Sequence, residues 1–104
     1  MKQDYHFFKA EFFKTLAHPT RVAILDNLRE GEKKVSELQE LLDADQSTVS
    51  QQLARLRRSN IIVGRKEGTT VYYSVRDPMI FDLLNVARQI FNNHLVSTQI
   101  MLDR

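Results

Sequence analysis

Between Asp45 and Ser59 the chain reads Asp-Gln-Ser-Thr-Val-Ser-Gln-Gln-Leu-Ala-Arg-Leu-Arg-Arg-Ser. Val49, Leu53 and Leu56 recur in it at i, i+4 and i+7, which is one stripe of a helix. Asp45 stands where an N-cap accepts the first free backbone amide, so the spacing predicts a helix over about 46–59. The face away from the stripe shows Ser47, Thr48, Ser50 and Gln51 in its first turns and Arg55 and Arg58 further along. Just upstream, Ser36-Glu37-Leu38-Gln39 has the form of a capping box. It predicts a short helix through Leu42, with Leu38, Leu41 and Leu42 as its buried side. The polar turn Asp43-Ala44-Asp45 joins the two. A short helix, a tight turn and a second helix with a polar outer face describe a helix-turn-helix over about 36–59.

Downstream, Ile61-Ile62-Val63 and Val71-Tyr72-Tyr73-Ser74-Val75 are β-branched and aromatic runs separated by Gly64 to Thr70. They predict a β-hairpin over about 61–75 with its turn around Glu67-Gly68 and a basic tip at Arg65-Lys66. Asp77-Pro78 then opens a last helix over about 78–101. Ile80, Leu83, Leu84, Ala87, Ile90, Phe91 and Leu95 recur along it at helical spacing. Upstream of the helix-turn-helix, Pro19 suits the first turn of a helix, where its missing N–H costs nothing. That helix is expected to run to about Glu30, with Val22, Ile24, Leu25 and Leu28 facing the core and Gly31 as its stop. The first segment, about 5–16, holds Tyr5, Phe7, Phe8, Ala10, Phe12, Phe13 and Leu16, too many apolar positions for one stripe. One of its faces is expected to pack on the body of the protein and the other on a second subunit.

The expected class is mainly α (α+β): a winged helix-turn-helix with a two-stranded wing and apolar helices at both ends. A chain of 104 residues suits one such domain. A domain this small covers little of its own apolar surface, which also favours a partner subunit. The absence of cysteine removes disulfides, thiolate ligands and thiol nucleophiles. The N-terminus lacks the pattern of a secretory leader and no run has the length of a membrane span, so a cytoplasmic protein without membrane contact is expected.

A net charge of +2 decides nothing, but its distribution does. Residues 47–76 carry six basic side chains against one acidic, while the segments on either side are slightly acidic. The excess falls on the second helix of the helix-turn-helix and on the wing, the two elements that meet double-stranded DNA in winged-helix proteins. Ser47, Thr48, Ser50 and Gln51 are the candidates for base edges, because an amide can pair bidentately with adenine and hydroxyls serve base or phosphate. Arg55, Arg58, Arg65 and Lys66 are the candidates for phosphates, joined at the wing by Thr69 and Thr70. The alternative is a winged-helix module whose basic face meets an acidic protein; preference for a defined DNA sequence separates the two. An enzyme is not expected. No glycine-rich phosphate loop, paired carboxylates or Ser-His-Asp grouping occurs.

Four stretches, taken together and in order, resemble the ArsR/SmtB bacterial transcriptional repressors. They are Leu16-Ala17-His18-Pro19-Thr20-Arg21, Val35-Ser36-Glu37-Leu38, Gln46-Ser47-Thr48-Val49-Ser50-Gln51-Gln52-Leu53 and Gly68-Thr69-Thr70-Val71-Tyr72-Tyr73-Ser74. The resemblance spans nearly the whole chain. It implies a homodimer built from the first and last helices, with Phe8, Phe12, Leu84, Phe91 and Leu95 at the interface, and an operator that is an interrupted inverted repeat.

It also implies an inducer, and here the chain departs from the pattern. The family's Glu-Leu-Cys-x-Cys is matched by Glu37, Leu38, Gln39, Glu40 and Leu41, without either thiolate. Its interface metal ligands fall on Asp77, Met79, Ile90 and Asn93, a set with one carboxylate that cannot hold zinc tightly. No metal or cofactor is therefore expected, and the effector is left unidentified. His6 and His94 could meet across a dimer in a metal site of a different kind. His18 reads as a polar residue capping the helix that Pro19 opens.

Overall fold

The computed structural model describes residues 2–102, with side-chain surroundings for residues 4–99. The order of elements is α1 (Lys2–Leu16), α2 (Pro19–Asn27), α3 (Val35–Leu42), α4 (Gln46–Arg58), β1 (Ile62–Glu67), β2 (Thr70–Val75) and α5 (Met79–Leu102). This is a winged helix-turn-helix: α3 and α4 make the helix-turn-helix, and β1 and β2 the wing.

The core forms where the apolar stripes of α2, α3 and α4 meet. Ile24, Leu25, Leu38, Val49, Leu53 and Leu56 are essentially sealed from solvent, and Ile61, Ile62, Leu16 and Ile80 close the margins. Fully burying one such aliphatic side chain is worth about 1.5–3 kcal/mol, so this cluster fixes the angle at which α4 stands on the body.

Helix starts follow local chemistry. His18 caps α2: its backbone is extended and its Nδ1 accepts from the Thr20 amide at 3.2 Å, with Pro19 in the first turn. Asp45 caps α4, its Oδ1 accepting from the Thr48 amide at 2.7 Å. Asp77 does the same for α5 by accepting from the Met79 amide at 3.0 Å.

Three sequence expectations need correction. First, α2 ends at Asn27 rather than near Glu30. Its end tightens, with Arg29 bonded to Asp26 and Gly31 to Leu28 through i to i−3 bonds. That turn drives Leu28 into the core, so the apolar spacing persists past the end of the helix. Second, α3 starts at Val35, with Lys34 and not Ser36 at its N-cap position; Glu37 Oε1 accepts from the Lys34 amide at 3.1 Å. Third, Leu41 is 55% exposed. With the helix started at Val35, Leu38 and Leu42 share the core side and Leu41 is rotated off it.

The wing is longer than its β-branched runs. The ladder pairs Ile62 with Val75 through to Glu67 with Thr70, so Gly64, Arg65 and Lys66 belong to a strand opposite Tyr73, Tyr72 and Val71. Only Gly68 and Thr69 remain as the loop, one residue beyond the expected turn at Glu67-Gly68. Gly68 has a φ of +63°, as the first position of a two-residue hairpin loop requires. Gly64 is needed for closeness: a Cβ there would lie 3.0 Å from Val71 Cγ1 and 3.3 Å from Arg57 Nη1. A third, one-residue strand joins the wing at Lys33, whose amide donates to the Tyr73 carbonyl at 3.0 Å while its carbonyl accepts from the Tyr73 amide at 2.8 Å. One residue has no periodicity, and the sequence carried no signal for it.

The terminal helices leave the body. α5 packs through Ile80, Phe81, Leu83 and Leu84, and every side chain from Asn85 to Gln99 is exposed. In α1 every side chain from Asp4 to Glu11 is exposed. No helix among the described residues is long and apolar enough to cross a membrane.

Candidate nucleic-acid interface

The outer face of α4 is arranged by its inner one. Because Val49, Leu53 and Leu56 are buried, Ser47, Ser50 and Gln51 are held in solvent on the opposite side, with Thr48 half-buried at the edge. The Asp45 cap fixes the first turn, from which Ser47 and Thr48 project, and Ser50 and Gln51 follow in the second. Its hydrogen bonds from Thr48, the backbone amide foremost, hold the Asp45 carboxyl below its ordinary range. Thirteen residues of helix extend about 20 Å, and a B-DNA major groove about 12 Å wide admits such a rod with its N-terminal turns against base edges.

The basic residues divide into distinct environments. Arg55, Arg57 and Arg58 lie in the last turn of α4, where cations suit the negative end of the helix. Arg55 is half-buried and its Nε is shielded from solvent without a hydrogen-bond partner. Arg55 and Arg58 line a groove of about 900 Å³ between α1, the end of α4 and the start of α5, opposite Phe8, Phe12, Met79 and Leu83. Arg57 lies against Gly64 at the base of the wing, a placement that charge counting did not anticipate.

On the wing, alternation puts Arg65 and Lys66 on opposite faces of the ribbon. Lys66 is exposed and makes no ion pair among the described residues. Arg65 is differently placed. Its Nε and Nη2 donate to the two carboxylate oxygens of Glu32 at 3.1 and 2.5 Å, and its Nη1 donates to Glu67 Oε2 at 2.8 Å. Its guanidinium also sits 5.0 Å from the centre of the Tyr72 ring, its cross-strand partner. The hydrogen bond from Arg65 draws the Glu32 carboxyl below its usual range, and both carboxylates hold the guanidinium more firmly protonated. Thr69 is exposed in the loop and Thr70 half-buried beside it.

Two further residues set the frame and were not among the sequence candidates. Arg21, within the quoted Leu16 to Arg21 stretch, donates from Nε to Gln52 Oε1 at 2.7 Å and from Nη1 to the Thr15 carbonyl at 2.9 Å. It thereby ties the end of α1 to the helix that carries Gln51. Gln52, assigned no role from the sequence, is half-buried and accepts from Arg21.

The residues matching the family's metal positions are put to other uses. Asp77 caps α5, and Met79 and Ile90 are exposed. Among the described residues no three His, Asp or Glu side chains stand close enough to hold a metal ion.

Comparison with known proteins places this architecture. Residues 18–63 match the model of the bacterial regulatory proteins of the arsR family. Over 83 residues, 79% of this chain and 73% of the relative, the sequence is 46% identical to the HTH-type transcriptional regulator Rv0081 of Mycobacterium tuberculosis. The chain belongs to the arsR family. The regulator superposes on the crystal structure of Rv0081 with a TM-score of 0.79 at 41% identity, over 89% of this chain and 94% of that one. It is also 38% identical to the biofilm growth-associated repressor of Agrobacterium fabrum, over 79% of this chain and 70% of the relative. The solution structure of a homodimeric winged helix-turn-helix DNA-binding domain, Mb0332 of Mycobacterium bovis, matches with a TM-score of 0.80 at 28% identity, over 90% of this chain and 87% of that one.

Proposed function

We propose that the regulator is a homodimeric repressor that binds an inverted-repeat operator and is released by an effector sensed neither through cysteines nor through the family's inherited metal positions. The observation that carries the reading is the division of α4, whose apolar residues are sealed in the core while Ser47, Ser50 and Gln51 stand in solvent on the first two turns of a capped helix. These side chains, with Thr48, read base edges. Arg55, Arg58, Lys66 and the wing threonines take phosphates, while Arg65 is engaged by Glu32 and Glu67.

Dimerisation is supported by where the unburied apolar surface lies. Among the described residues, all the large hydrophobic side chains that are exposed except Leu41 belong to α1 or α5: Tyr5, Phe7, Phe8 and Phe13 on the first, and Met79, Val86, Ile90, Phe91, Leu95 and Val96 on the second. Phe12 and Leu84 are half-buried against the protomer's own core and form the inner margin of that surface. Two copies joined along it present two recognition helices to two half-sites. An effector acting in the groove beside α1 and α5 would shift operator affinity by its differential affinity for the free and bound dimer, typically about 1–3 kcal/mol.

The test is selection from randomised duplex DNA at about 0.15 M salt, where weak electrostatic binding is suppressed. An enriched inverted repeat is expected. A folded dimer that enriches no sequence refutes the operator reading and moves an acidic protein partner to the front.

A further inference from the structure

The wing carries a basic tip in the sequence and an almost neutral one in the structure. Arg65 is held by a two-pronged contact from Glu32, a residue of the loop before α3, and by Glu67 two places along its own strand. The guanidinium fork and the carboxylate match in geometry, which a lysine could not reproduce. The arrangement is anchored on both sides. Tyr72 backs the guanidinium from across the ladder, and Lys33, next to Glu32, is bonded to Tyr73 on the same strand. Neither partner therefore has to be fetched from a flexible segment. The cluster bears two carboxylates and one guanidinium, so the wing face that holds Arg65 is net acidic.

We propose that Glu32 and Glu67 form a clamp that withholds Arg65 from DNA phosphates, making these two acids determinants of how weakly the regulator binds DNA in general. The proposal rests on the reading of α4 and the wing as the DNA face. Cations on such a face attract every duplex alike, because phosphate contacts carry no sequence information. A clamped arginine lowers affinity for operator and random duplex alike, and leaves the discrimination between them to the base contacts of Ser47, Thr48, Ser50 and Gln51. Exposed ion pairs are weak, which makes this one a modest restraint that substitution can lift without unfolding the protein.

The experiment is a cycle of variants measured by fluorescence anisotropy on random-sequence duplex across a range of salt. Arg65→Gln alone is expected to change affinity less than twofold. Glu32→Gln with Glu67→Gln is expected to tighten binding several-fold, up to about eightfold at 0.1 M salt for one complete phosphate contact, and to steepen the log–log salt slope by about 0.9. Adding Arg65→Gln to that pair should abolish most of the gain; what remains is the repulsion the two acids exert on DNA directly. Arg65→Lys, which keeps the charge but loses the fork, should recover only part of the gain, because the two acids remain. If Arg65→Gln weakens binding equally in both backgrounds, Arg65 already grips phosphate and the clamp is refuted. If the native protein binds no duplex at any salt, the DNA reading of this face falls, and the clamp with it. Circular dichroism of each variant confirms that the fold is retained.

Discussion

Replacing Arg21 with alanine removes a side chain of α2 that is hydrogen-bonded to both α1 and α4. Two charge-assisted hydrogen bonds are lost, to Gln52 Oε1 at 2.7 Å and to the Thr15 carbonyl at 2.9 Å. Hydrogen bonds from a charged group contribute about 1.5–3 kcal/mol each, and Arg21 is half-buried, which argues for the lower part of that range. The Thr15 carbonyl lies in the last turn of α1, where no further amide of the helix can satisfy it, and Thr15 is only 5% exposed, so water replaces the guanidinium poorly. The expected loss is about 2–4 kcal/mol, or roughly 10–25 °C in Tm for a domain of this size. The assay is urea unfolding at one fixed protein concentration, because association itself contributes to apparent stability. Gln52→Ala should cost less than Arg21→Ala, and the double variant little more than Arg21→Ala alone, with a coupling of about 1 kcal/mol or more. Arg21→Lys should recover part of the loss, since one ammonium cannot reach both acceptors in the same geometry. A loss below about 0.5 kcal/mol, or strict additivity with Gln52→Ala, would refute the bridging role.

Gln51→Ala is expected to cost about 1–3 kcal/mol on the selected operator and to relax preference at one base position; an equal loss on random DNA would mean that it reads no base. Lys66→Ala should weaken binding to every duplex and flatten the salt slope by about one unit, as anisotropy titrations at several salt concentrations would show. Phe91→Glu, placed in the exposed apolar surface of α5, should give a monomer in sedimentation velocity, and an intact dimer would move the interface elsewhere. Asp45→Asn should keep the α4 cap and Asp45→Ala should lose it. Because the native-state pKa of Asp45 is depressed, its contribution is present above the unfolded value and fades as pH falls through the folded one. Native stability should therefore fall more steeply than that of Asp45→Asn in unfolding experiments below about pH 4.

The helices were legible where burial and capping agree. Val49, Leu53 and Leu56 marked α4, Asp45 marked its start to the residue, and Asp77 marked the start of α5 to within one residue. Legibility failed where backbone geometry or a distant partner intervenes. Ser36 mimicked a cap two residues inside α3, because the true start is set by Glu37 reaching back to Lys34. Glu32 and Arg65 are 33 residues apart, and no local pattern reveals that one charge cancels the other. Counting six basic residues in the segment 47–76 therefore overstated the free charge of the DNA face. Arg21 stood inside a quoted motif, yet nothing in its neighbours showed that it reaches Gln52.

The single-residue strand at Lys33 turns the wing into a lever. A two-stranded ribbon alone is pliable. Here its middle is pinned through Tyr73, and the Gly68-Thr69 loop lies beyond the pin. The pin sits immediately before α3, the helix whose start positions the turn into α4. A load applied at the tip is thus passed, across two hydrogen bonds, to the entrance of the helix-turn-helix.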